Sequence, residues 1–111
     1  MSQRDHRVRI RHMLEAAEKA VEFVTGKQRR DLDEDEQLAL VPARLIEILG
    51  EAARGVPDNV RQQRSDIPWK DITGARDRLI HGYFEVDLDI VWQIVTTDIP
   101  PLIGQLKKIP A

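Results

Sequence analysis

The chain of 111 residues has no cysteine, which excludes disulfides and thiolate-held metals. Its three histidines, His6, His12 and His81, are too scattered to suggest a metal site, and no cofactor is implied. No apolar run approaches the roughly 20 residues of a membrane span, and nothing resembles a signal peptide. A cytoplasmic protein without a membrane partner is the expectation. Aromatic residues make up only 5% of the chain, so its apolar positions fall mostly to Leu, Ile, Val and Ala, as packed helices prefer. A strong excess of one charge is also missing. The net charge of −2 argues against indiscriminate adhesion to nucleic acid, which needs a broad basic surface. Charge is nonetheless patchy, with Arg4, Arg7, Arg9 and Arg11 crowding the start and Asp31 to Glu36 forming an acidic block. Solvation of those arginines, or contact with RNA or a partner, would each account for them.

What is present is amphipathic helix. A chain of this size suits one domain, 1–111, with a modest core. Ile10, Met13/Leu14, Ala17, Val21 and Val24 recur at intervals of three and four, the mark of a helix burying one stripe. Ser2 or Asp5 can cap its start and Gly26 ends it. A polar connection follows to Leu32, and Asp33 to Glu36 suit the first turn of a second helix. That helix carries Leu38, Val41, Leu45, Leu49, Ala52 and Val56, widened by Ile46 and Ala53, with a kink predicted at Pro42. After a short segment at 57–64, a third helix is predicted from Pro68 or Trp69, capped by Ser65 or Asp66 and weakened at Gly74. Asp87 caps the last helix, whose stripe runs Leu88, Val91/Trp92, Val95, Ile99, Leu102 and Leu106. Pro100-Pro101 interrupts it, and Asp98 can cap a restarted segment. No stretch reads as a convincing strand. The fold class is all-α, a bundle of four principal helices plus short helical segments.

Chemistry concentrates in Arg76-Asp77-Arg78-Leu79-Ile80-His81-Gly82-Tyr83-Phe84. Arginine is a permanent planar cation that grips phosphate oxygens two at a time. Histidine both accepts and donates a proton near neutrality, and tyrosine supplies a hydroxyl. The spacing predicts His81 at the end of a helix, with Gly82 stopping it in a left-handed conformation. On such a helix Arg76 and Tyr83, about 20° apart, share a face while His81 turns away. Structural roles remain open beside the functional ones: a surface ion pair for Arg76, a helix C-cap for His81, a half-buried ring for Tyr83.

The stretch resembles the R-x-x-x-x-H-x-Y signature of the HepT-like branch of HEPN domain proteins, the toxins of HepT/MntA-type toxin–antitoxin pairs. Leu45 to Ala53, Ile67 to Ile72 and Val86 to Trp92 resemble the family's flanking segments in the same order. Pro42 departs from the helix-friendly residues expected there. The resemblance implies a HEPN-type homodimer acting as a metal-independent RNA endonuclease, with both subunits lining one cleft. It implies that Arg76 and His81 are the catalytic pair and that Asp77 matches the polar position after the arginine. It further implies a type VII-like system in which a cognate MntA-like nucleotidyltransferase antitoxin silences the toxin by AMPylation of Tyr83. The competing reading is a non-catalytic HEPN module that binds nucleotide or docks a nucleotidyltransferase.

Overall fold

The computed structural model describes residues 3–81 and 85–109, with side chains over 6–80 and 85–109. The chain is mostly helical, as expected. Helix α1 (Gln3–Val24) ends as predicted, with Gly26 at φ 81, a conformation that costs glycine nothing. Arg7, Arg9 and Arg11 are exposed along it, and Ile10, Met13, Ala17 and Val24 are buried together with Ala16 and Ala20.

The predicted polar connection contains a short helix, α2 (Arg29–Glu34), because Leu32 has a place in the core to fill. Arg29 ties this helix to the far end of the chain through Nε–H to Asp89 Oδ1 at 2.8 Å. The acidic block is therefore split. Asp33 and Glu34 close α2, and Asp35 becomes the N-cap of α3 (Glu36–Arg54), accepting from the N–H groups of Gln37 and Leu38.

Helix α3 continues through Pro42 without restarting. Pro42 is fully buried, so core packing on both sides offsets the missing hydrogen bond. The predicted stripe is present, with Leu38, Ile46, Leu49, Ala52, Ala53 and Val56 buried and Leu45 half-buried. Ala39, Pro42, Ala43 and Gly50 face inward, while Val41 is 37% exposed. Helix α1 and helix α3 form the most extensive packing in the molecule, and α1 also packs on the C-terminal helix.

Helix α4 (Asp58–Gln63) is the short segment expected there. Helix α5 (Trp69–Thr73) starts without a side-chain cap, because Asp66 is committed to Arg64 through hydrogen bonds of 3.0 and 2.7 Å. Gly74 divides α5 from α6 (Ala75–Leu79), and Ile72, Ala75 and Leu79 face the core. A two-residue antiparallel ladder follows, β1 (Ile80–His81) with β2 (Glu85–Val86), in the register Ile80↔Val86 and His81↔Glu85. Runs this short carry no alternation, so they left no strand signal in the sequence.

The last rod is α7 (Leu88–Gln93), a π turn (Ile94–Asp98) and α8 (Ile99–Lys107). Asp87 caps it as predicted, accepting from Ile90 N–H at 3.1 Å. Asp98 stands at the predicted N-cap position of α8 in helical conformation, without a side-chain cap hydrogen bond. The prolines fall in the first turn of α8, as predicted for a restarted segment, and the π turn before it has Ile99 N–H donating to Ile94 O, five residues back. Among the described residues, no helix is long and apolar enough to cross a membrane.

Candidate functional site

The motif segment stands on pieces too short to be stable alone. An isolated helix of five residues does not form in water, because nucleation costs more than so few hydrogen bonds return. Helices α5 and α6 are fixed by burial of Trp69, Ile72, Ala75 and Leu79, and by three successive turns of α3. On the last of these turns, Arg54 donates from Nη2 to the Thr73 carbonyl at 3.0 Å. One turn earlier is Gly50, where an added Cβ would lie 3.0 Å from the Ile72 carbonyl oxygen, so α5 sits against bare backbone. One turn earlier again, Glu47 meets the motif arginine.

Arg76 is the second residue of α6 and its side chain is 61% exposed. Its closest approach to Glu47 is from Nε to Oε2, at 3.6 Å, an ion pair too long to be a hydrogen bond. Neither Nη atom hydrogen-bonds to a described residue, so the fork that would hold two phosphate oxygens is uncommitted among them. Glu47 also faces Arg44, whose Nη1 lies 3.5 Å from its Oε2 and 3.9 Å from Glu51 Oε1. The Glu47 carboxylate, 21% exposed, thus sits between two guanidinium groups carried by different helices.

Asp77 follows Arg76 on α6, exposed, with its own N–H donating to the Gly74 carbonyl at 3.1 Å. Arg78 is exposed and lines a cavity of about 610 Å³ with Ile46, Ala75, Ile94 and Asp98. The predicted helix end at His81 is corrected. Helix α6 stops at Leu79, and Ile80 is extended with φ −104 and ψ 119. The helical angles expected between Arg76, His81 and Tyr83 therefore do not apply. His81 lies in β1 with its backbone opposite Glu85, and Asp87 N–H donates to the Leu79 carbonyl at 2.6 Å where the chain returns. The His81 side chain, the Gly82 helix stop and Tyr83, the expected modification site, lie outside the described residues.

The site as described is thus an exposed guanidinium on a short helix, followed by an extended turn-back that carries the histidine. An anion could approach the guanidinium from solvent without displacing any described hydrogen bond. The motif itself gives no signal for Glu47 and Arg44. They are remote from Arg76 in sequence, and on an amphipathic helix each reads as ordinary solvated charge. Among the described residues, no group of three or more His, Asp or Glu side chains is placed to hold a metal ion.

Comparison with known proteins adds a further finding. Residues 13–109 match the family described as Ribonuclease HepT-like. A provisionally named RNase of Caldanaerobacter subterraneus subsp. tengcongensis is 39% identical over 100 residues, covering 90% of this chain and 89% of its own. A provisionally named ribonuclease HepT of Thermococcus cleftensis is 34% identical over 106 residues, covering 96% of each. A provisionally named RNase of Methanocaldococcus jannaschii is 32% identical over 102 residues, covering 92% of this chain and 94% of its own. No solved structure gives a significant match.

Proposed function

This chain belongs to the HepT-like ribonuclease family, and from that premise we propose that it is a metal-independent RNA endonuclease, the toxin of a toxin–antitoxin pair. The observation that carries the reading is Arg76, exposed on α6 with both Nη atoms free of described hydrogen-bond partners. The relatives' names as RNases support it.

In the proposed reaction the neighbouring 2′-hydroxyl attacks phosphorus, and the bond to the 5′-oxygen breaks. A 2′,3′-cyclic phosphate and a free 5′-hydroxyl result. The attacking hydroxyl gives up a proton to a base, and the leaving oxygen receives one from an acid. His81 serves as the acid or base, Arg76 holds the phosphate and its developing charge, and Asp77 orients one of them. One chain supplies a single motif histidine. A two-fold homodimer would bring a second, allowing acid and base to act together across one cleft. Exposed Phe23 and Val41, which line one surface hollow with Leu45 where the end of α1 meets the start of α3, support an interface between copies. AMP placed on Tyr83 by a nucleotidyltransferase antitoxin would set an anion beside the RNA phosphate position and block cleavage.

The chain's net charge of −2 favours a second reading, a module that docks a nucleotidyltransferase without turnover. Cleavage of RNA in the presence of a chelator decides between them. The wild-type chain is expected to cut, and His81→Ala to lose on the order of 10²-fold or more of the rate. Equal RNA integrity with both proteins leaves only the docking module.

A further inference from the structure

We propose that Glu47 of α3 is a positioning residue for Arg76, holding the guanidinium by its Nε side so that the Nη edge faces incoming phosphate; this rests on the ribonuclease reading above. Glu47 is 21% exposed, whereas Arg76 is 61% exposed, so burial alone does not fix its rotamer. An ion pair at 3.6 Å so near the surface adds little to folding. Its consequence is directional. A carboxylate at Nε restricts where the planar fork can turn, and Arg geometry makes that restriction matter for two-point contact with phosphate.

The support for Glu47 is itself built in. Arg44 Nη1, at 3.5 Å, holds the carboxylate from its own helix. The two turns of α3 that follow fix the backbone of the motif segment through the Gly50–Ile72 approach and the Arg54–Thr73 hydrogen bond. One face of a long helix therefore sets both where α6 lies and where its arginine points. Glu47 touches no reacting atom in this scheme and acts through Arg76 alone.

The test uses the full chain and steady-state RNA cleavage. Glu47→Gln is expected to lower kcat about tenfold. KM should stay the same or fall, because a negative charge has been removed from beside the phosphate position. In an Arg76→Lys background the same substitution is expected to change kcat by no more than about twofold, since the partner it positions is gone. Equal losses in both backgrounds, or a raised kcat/KM for Glu47→Gln, overturn the proposal. A second measurement needs no activity: the Arg76 Nε–H resonance in ¹⁵N spectra, assigned through Arg76→Lys. It should shift and exchange faster with water in Glu47→Gln, and an unchanged resonance overturns the proposal. A wild-type chain that cuts no RNA refutes the ribonuclease reading, while the Nε–H result still decides whether Glu47 holds Arg76.

Discussion

Helices α1 and α3 differ in kind from the segment that carries the motif. The two helices span 22 and 19 residues, with continuous buried stripes and a defined end or cap. The motif segment is two helices of five residues, a glycine between them and a two-residue ladder. The first region is stabilised mainly by burial of apolar surface at roughly 25 cal/mol per Å². The second buries fewer side chains, Trp69, Ile72, Ala75 and Leu79, and depends on α3 to bury them. Chemistry has been laid on the part with the least stability of its own and oriented by the part with the most. That arrangement lets a site move a little for its substrate while its support stays fixed.

The largest predicted effect removes the anchor between the regions. Leu79 is fully buried at the end of α6, and Leu79→Ala is expected to destabilise the chain by about 2–5 kcal/mol, measured by denaturant unfolding. If the loss were only a few tenths of a kcal/mol, the motif segment would not be anchored as described. A smaller effect on stability should divide the two regions more sharply. Gly50→Ala gains about 1 kcal/mol of helix propensity but forces the Ile72 carbonyl away from α3, at about 1–3 kcal/mol. Unfolding should therefore change by about 1 kcal/mol, while RNA cleavage falls on the order of tenfold or more because Arg76 is displaced. Activity that tracks stability one for one would break the comparison.

The smallest effect lies outside both regions, at the turn before α5. Hydrogen bonding to the Arg64 guanidinium holds the Asp66 carboxyl below its ordinary value. Because the folded pKa is the lower one, the pair's stabilisation is present above the unfolded value of about 3.9. It is lost as pH falls through the folded value. Asp66→Asn should flatten the acid limb of the unfolding curve slightly and leave the neutral range unchanged. An equally steep acid limb in the variant would remove Asp66 from the account.

The stripe Ile10, Met13, Ala17 and Val24, the caps at Asp35 and Asp87 and the stop at Gly26 differ in how far the sequence alone disclosed them. The stripe, Asp87 and Gly26 were legible because period, cap chemistry and left-handed glycine are local properties. Asp35 was hidden in a run of four acids, any of which suits a first turn, and burial of Leu32 decided where α2 ended and α3 began. Pro42 and Pro100-Pro101 likewise depend on their surroundings. A proline's local cost is fixed, but packing or a place in a helix's first turn can offset it.

The order of Arg76, His81 and Tyr83 in the chain, and hence the resemblance to a ribonuclease family, belongs to the sequence, as does the helical character that period 3.6 imposes. Only the tertiary structure decided that α6 stops at Leu79, that the histidine's backbone turns back opposite Glu85, and that Glu47 stands behind Arg76. The reason is distance along the chain. Hydrophobic period and capping act over a few residues, whereas a carboxylate on α3 finds a guanidinium on α6 only once the chain has folded back and α5, which leads into α6, lies against Gly50.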